Sequence, residues 1–235
     1  MNSEDGRYNW EYAPPPTPYD LVRDSLLLKI SRPPLHIFTR LFLRYYNDLE
    51  IVGKENMVDS QAYIITPNHS SHLDAPVIFA SLPLLRINHT YTLAAKDYFF
   101  NQWFVSFSAR LMANVIPVDR TSSETRGLLL CLSKIRKGKS ILLFPEGTRS
   151  QDGNINQFQK GAIVLSRKAH LPIIPVYIKG SFESLPKSRH VPRRKKISLF
   201  LGQPVRYWDE IYADMDDDDA SRDLQERVRN LGIND

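Results

Sequence analysis

Short apolar runs recur along this chain, each closed by proline, glycine or a polar turn. Leu49–Val52, Ala62–Thr66, Thr90–Ala95, Val115–Val118, Ile141–Phe144, Ile173–Lys179 and Ile197–Leu201 have the length of strands. Apolar runs of that size, bounded by turn signals, read as strands buried in a sheet. Helical stretches at about 74–81, 98–110, 122–137 and 158–169 alternate with them. The alternation predicts an α/β fold: a mixed, largely parallel central sheet of about seven strands flanked by helices.

Ahead of the sheet, Leu21 to Tyr46 is apolar but punctuated by Arg23, Lys29, Arg32, Arg40 and Arg44. Pro33-Pro34 predicts a split into two helical pieces, because proline lacks the N–H and clashes with the preceding turn. In the second piece Phe38, Leu41, Phe42 and Tyr45 follow helical spacing, while His36, Arg40 and Arg44 take the other side. A basic amphipathic helix of this kind either lies in a membrane interface or covers the sheet. Residues 1–20, with Pro14-Pro15-Pro16-Thr17-Pro18, read as an extended or disordered tail. Tyr98-Phe99-Phe100, Trp103-Phe104 and Phe107 form an aromatic cluster suited to an acyl groove, to lipid or to ordinary core packing. Lys187, Arg189, Arg193, Arg194, Lys195 and Lys196 make a basic loop before the last strand, facing anionic headgroups, coenzyme A phosphates or solvent. The acidic run Asp214 and Asp216–Asp219 lacks the glycine and terminal glutamate of a calcium loop, so it reads as the capped start of a helix over Ser221–Leu231.

Composition narrows the picture only a little. A chain of 235 residues suits one α/β domain. Net charge of +5 favours an anionic partner such as a phosphorylated lipid or a membrane surface, although nucleic acid fits the charge alone equally well. The single cysteine, Cys131, sits in Leu128-Leu129-Leu130-Cys131-Leu132, which excludes an intrachain disulfide and predicts a buried small hydrophobe on a reducing, cytosolic side. The N-terminus lacks the order of a signal peptide, and no stretch reaches eighteen apolar residues without a charge. Membrane contact is therefore expected to be peripheral or monotopic, on the cytoplasmic face.

The chemistry concentrates in two places. Asn68-His69-Ser70-Ser71-His72-Leu73-Asp74 follows the strand Ala62–Thr66 and carries a histidine and a carboxylate to one edge of the sheet. A histidine takes a proton near neutral pH, and a carboxylate holds one tautomer and stabilises the imidazolium. Residues five apart diverge by about 140° on an ideal helix, so His69 and Asp74 meet only if His69 stands in the turn before the helix. By itself this heptad is equally a polar turn with Asp74 as helix cap. Ile141-Leu142-Leu143-Phe144-Pro145-Glu146-Gly147-Thr148-Arg149-Ser150 repeats the design, with a carboxylate and an arginine after a strand. Gly147 permits close backbone approach to a ligand, and the planar fork of Arg149 suits phosphate or carboxylate.

In order, N-H-x-S-x-x-D and F-P-E-G-T-R-S resemble the paired motifs of the glycerolipid acyltransferases, whose bacterial type is lysophosphatidic acid acyltransferase. The resemblance runs from roughly Asp48 to Gly202. Val115-Ile116-Pro117-Val118-Asp119-Arg120 is similar to that family's arginine-bearing second block, and Ile174-Pro175-Val176-Tyr177-Ile178 to its fourth. One position departs: Asn114 stands where the second block usually opens with glycine, and asparagine is the residue that best tolerates a left-handed turn there.

The resemblance implies direct acyl transfer from a thioester, on coenzyme A or acyl carrier protein, to the free hydroxyl of a lysophosphatidic acid. Another lysophospholipid or glycerol-3-phosphate is the alternative acceptor. His69 is expected as general base and Asp74 as its orienting carboxylate. Asn68, or a backbone amide beside it, is expected to stabilise the oxyanion or support the turn. Arg149, Arg120 and Lys96, with Lys160 as a weaker fourth, are expected to hold the acceptor phosphate. Glu146, Gly147 and Thr148 belong with the acceptor, Glu146 either bonding a hydroxyl or holding Arg149. No cofactor, metal or nucleic acid is expected. The segments divide as 1–20 tail, 21–46 amphipathic helical segment and 47–235 acyltransferase catalytic domain.

Rival readings fit less well. A serine hydrolase would place Ser70 or Ser71 in a G-x-S-x-G elbow, which is absent. A zinc site from His69, His72 and Asp74 lacks H-E-x-x-H and a cysteine pair. Gly138-Lys139-Ser140 ends like a phosphate-binding loop, but Ser133 stands where its first glycine belongs. A non-catalytic lipid-binding or nucleic-acid-binding module would have no need of His69, Asp74, Glu146 and Arg149 together.

Overall fold

Paired branched residues build the sheet. Ile64-Ile65, Ile141-Leu142 and Ile173-Ile174 each send one side chain to either face: Ile64, Ile141 and Ile173 enter one core, and Ile65, Leu142 and Ile174 the other. A strand buried on both faces needs a continuous apolar run rather than an alternating one, which is why these segments read as unbroken stretches. The structure, a computed structural model, describes residues 26–57, 62–95, 114–118, 124–189 and 191–233.

Seven strands form one sheet: β1 (Glu50–Val52), β2 (Ile64–Pro67), β3 (Thr90–Ala95), β4 (Asn114–Val118), β5 (Ser140–Leu142), β6 (Ile173–Lys179) and β7 (Ser198–Leu201). Their order is β1-β7-β6-β2-β5-β3-β4. Every pairing is parallel except β6 with β7. Helix α1 (Leu26–Tyr46) packs on α2 (Asp74–Ser81) and α3 (Leu84–Ile87). Helices α4 (Glu124–Ile135), α5 (Gly161–Ala169) and α7 (Asp217–Leu231) supply the other core, with Cys131, Ile163 and Leu224 fully buried in it. A short helix, α6 (Ser181–Ser184), follows β6 directly. The expected mixed, largely parallel seven-stranded sheet is thus what the chain forms.

Two details of the fold differ from expectation. Helix α1 runs unbroken through Pro33 and Pro34. Pro33 has no N–H for the Lys29 carbonyl four residues back, and Asn88 Nδ2 donates to that carbonyl instead, at 3.1 Å. The same helix turns its apolar stripe outward, as one of the two expected placements has it: Arg32, His36, Thr39 and Leu43 are buried, while Phe38, Leu41, Phe42 and Tyr45 are exposed. Arg40 faces inward as well, donating from Nε to Ala80 O and from Nη2 to Leu82 O, both at 2.6 Å. Finally, Asn114 is not left-handed. It opens β4 opposite Tyr91, and its Nδ2 donates to Ile87 O and Thr90 O at 2.9 Å.

The acidic run does cap a helix, which starts at Asp217, earlier than the sequence suggests; Asp216 accepts from Asp219 N at 2.7 Å. Cys131 is fully buried, and burial pushes its thiol up to about 12, so it behaves as a hydrophobe. The expected helix at 98–110, the aromatic cluster, Lys96 and Arg120 lie outside the described residues.

Candidate active site

The site gathers at the C-terminal ends of the parallel strands, where open α/β sheets hold their ligands. Helix α2 begins at Asp74, so His69 stands in the preceding turn rather than on the helix. Its Nδ1 lies 2.9 Å from Asp74 Oδ2. Asp74 is fully buried, and the same oxygen accepts the N–H groups of Ser70 at 2.7 Å and Ser71 at 2.8 Å. Its other oxygen accepts from Ser181 Oγ at 2.6 Å. Four donors thus fix the carboxylate in place. The hydrogen bond to Asp74 commits Nδ1–H and leaves Nε2 as the basic nitrogen. The ring is 21% exposed and stacks on Phe144 with centroids 3.9 Å apart, so it is fixed but reachable.

The Glu146 carboxylate is taken up by main chain and by Asn156. It is buried; Oε1 accepts from His69 N at 2.6 Å, and Oε2 accepts from Asn156 N and Nδ2 at 2.9 Å. Ser150 N completes the frame by donating to His69 O at 2.8 Å. The second motif therefore grips the main chain of the first on both sides of the histidine. Burial raises the Glu146 pKa, although the N–H groups of Asn156 and His69 pull it back down. Asn156 is in turn held from α7, where Gln225 Nε2 donates to its carbonyl at 3.1 Å.

Asn68 is tied into the turn. Its Nδ2 donates to Ile178 O at 3.1 Å and its Oδ1 accepts from Ile178 N at 2.7 Å, so the amide ties the turn to β6 rather than facing a reacting carbonyl. Arg149 is half-buried, with Nη1 2.6 Å from the His72 ring nitrogens, which puts a guanidinium on the catalytic side of the turn. Gly147 and Thr148 are exposed at the tip. Gly147 has φ 70°, and no atom lies within 4 Å of where a Cβ would stand, so the left-handed turn, not crowding, requires glycine. Lys160 Nζ lies 3.8 Å from Asp218 on α7, an exposed pair. Ser70 and Ser71 serve the turn: Ser71 Oγ donates to Leu185 O at 2.7 Å, and Ser70 Oγ sits 3.4 Å from Ser181 Oγ.

Ser181 and Asn156 are the residues that sequence reasoning missed. Only the Gly180-Ser181 step at the end of β6 offered a signal, since Gly180 with φ 83° turns the chain back beneath Asp74. A Cβ on Gly180 would come within 2.0 Å of Lys196 O.

A buried carboxylate bonded to a histidine, with an arginine beside the same turn, marks a polar site at the strand ends of an α/β fold. The comparisons specify the class. The Acyltransferase family model matches residues 48–179, and the chain belongs to that family. A chloroplastic 1-acyl-sn-glycerol-3-phosphate acyltransferase of Brassica napus is 26% identical over 192 residues, covering 80% of this chain and 54% of that protein. The 1-acyl-sn-glycerol-3-phosphate acyltransferase of Bacillus subtilis is 23% identical over 170 residues, covering 72% of this chain and 80% of the relative. This chain thus spans about half the length of the plant relative. The crystal structure of the 1-acyl-sn-glycerophosphate (LPA) acyltransferase PlsC from Thermotoga maritima has the same fold, with a TM-score of 0.68, 23% identity, and coverage of 88% of this chain and 79% of that one.

Proposed function

We propose that the protein transfers a fatty acyl group from an acyl thioester, on coenzyme A or acyl carrier protein, to the free hydroxyl of a lysophosphatidic acid, giving phosphatidic acid. The observation that carries this reading is the His69–Asp74 pair, with Nδ1 fixed at 2.9 Å and Nε2 left basic. His69 Nε2 takes the proton of the acceptor hydroxyl as its oxygen attacks the thioester carbonyl. The tetrahedral intermediate then breaks its C–S bond, and the imidazolium returns the proton to the leaving thiolate. No acyl-enzyme is formed, since the nucleophile is the substrate's own hydroxyl. Asp74 stabilises the imidazolium, and Glu146 with Ser150 holds the histidine main chain in place.

Arg149 binds the acceptor phosphate, joined by Arg120 and Lys96, with Lys160 in a lesser part. Gly147 and Thr148 border that site. The chain works as a peripheral or monotopic protein at the cytoplasmic face of a membrane. The outward apolar face of α1 supports the membrane contact, and among the described residues no helix is long and apolar enough to cross a membrane. The test is an acceptor panel with purified protein, read by mass spectrometry. Lysophosphatidic acid should be acylated in preference to glycerol-3-phosphate and to lysophospholipids with larger headgroups. Equal use of all acceptors would overturn the assignment.

A further inference from the structure

The exposed stripe of α1 ends in a groove of about 560 Å³, lined by Phe38, Leu41, Phe42, Tyr45, Tyr46 and Arg194. That volume is within the range of clefts that take a small molecule, about 300–1,000 Å³. Five of the six walls are apolar or aromatic, and the sixth is a guanidinium. Arg194 belongs to the basic loop between β6 and β7, and it is exposed together with Arg193 and Lys195.

The loop is strapped to the end of α1. Tyr46 Oη donates to Pro192 O at 3.1 Å. Buried Asn47 donates from Nδ2 to Arg193 O at 3.2 Å and Lys195 O at 2.9 Å, and Ile197 N returns a bond to Asn47 O at 2.9 Å. The cations are therefore presented beside the apolar wall in a fixed relation to it. The same loop begins at the catalytic turn, where Ser181 bonds Asp74 and Leu185 O accepts from His72 N at 3.3 Å. Groove and active site accordingly share one supporting segment.

We propose that this groove is a non-catalytic binding site for an anionic phospholipid of the bilayer. The acyl chains lie along Phe38, Leu41, Phe42 and Tyr45, and the phosphodiester meets Arg194, supported by Arg193 and Lys195. An apolar wall ending in an exposed guanidinium matches a molecule with an apolar body and one anionic head. A peptide or a second copy of this chain would need an acidic group set against aromatic contacts. The proposal rests on the membrane-surface reading given above and adds lipid selectivity to it. The site would hold the open strand ends against an anionic surface, where lysophosphatidic acid resides.

The test is sedimentation with sucrose-loaded vesicles of phosphatidylcholine alone, and of phosphatidylcholine with one third phosphatidylglycerol. Wild type, Arg194→Glu, Phe42→Ser and a control, Lys137→Glu, are compared. Lys137 lies in the turn entering β5, at the other end of the parallel strands. Circular dichroism melts verify that each variant is folded. A basic residue at an anionic surface contributes roughly a several-fold factor in binding. Arg194→Glu should therefore weaken binding to the anionic vesicles by about tenfold or more, with little change for phosphatidylcholine. Phe42→Ser should weaken both, and Lys137→Glu should do neither. Equal loss in Lys137→Glu and Arg194→Glu would overturn the site in favour of general surface charge. A concentration-dependent dimer that Arg194→Glu dissociates would overturn it in favour of a second copy. Acylation of short-chain lysophosphatidic acid below its micellar concentration is measured in parallel. Its loss in wild type would refute the acyltransferase reading, whereas vesicle binding tests the groove alone.

Discussion

Four donors converge on Asp74, and the most informative of them is Ser181, which arrives from 107 residues away. Ser181 touches no reacting atom; it acts through the carboxylate. Removing one donor from a buried carboxylate leaves its oxygen partly unsatisfied, at about 1.5 kcal/mol or more for a charged hydrogen bond. Ser181→Ala should lower kcat about tenfold at unchanged KM and displace the acid limb of the pH profile, while Ser181→Thr should restore most of the rate. An unchanged pH profile would make Ser181 merely structural. Glu146 offers a second test, through stability. Because burial raises its folded pKa, the folded state binds its proton more tightly than the unfolded chain does, and this contribution to stability is lost as pH rises through that pKa. Glu146→Gln lacks the effect. The melting temperature of wild type relative to Glu146→Gln should therefore fall from pH 4.5 to pH 7, and a constant difference would count against a raised Glu146 pKa. The His69–Asp74 contact was legible at this scale, because a histidine and an aspartate close in sequence follow one strand. Ser181 and Asn156 were not, because neither carries chemistry of its own and each earns its place only through contacts across the fold.

Helix α1 and helix α2 form a unit at the next scale. Arg40 binds the carbonyls of Ala80 and Leu82 at the C-terminal end of α2, whose N-terminal residue is Asp74. A cation on the terminal carbonyls satisfies groups that the helix itself leaves open. Arg40→Met should destabilise the protein by about 2 kcal/mol, a fall of about 4–8 °C in Tm for a chain of this size. Calorimetry checks it, and a change below about 1 °C would mean the contact contributes nothing. The strands were readable because two-faced burial forces continuous apolar runs. Helix α1 was legible only in part, for two separate reasons. Periodicity separates two faces of a helix without saying which one turns inward, and here the inward face carries Arg32 and His36. The break expected at Pro33 is cancelled by Asn88, 59 residues from the carbonyl it caps.

Over the whole molecule, the two motifs make one device. The second motif seizes the backbone of the first through Glu146 and Ser150, while α7 steadies Glu146 through Asn156. Below that frame lies a sheet whose core the sequence announced plainly; beside it lies an apolar edge with a basic rim that becomes visible only once α1 and the β6–β7 loop are seen together. The central claim is that acyl transfer is direct and depends on His69. It is tested by thiol release from an acyl thioester, followed with and without lysophosphatidic acid, for wild type and His69→Ala. Wild type should release thiol in equal amount to phosphatidic acid formed, and only when the acceptor is present; His69→Ala should be slower by about 10² to 10⁴. Thiol release without acceptor, or acceptor-dependent transfer at full rate in His69→Ala, would contradict it.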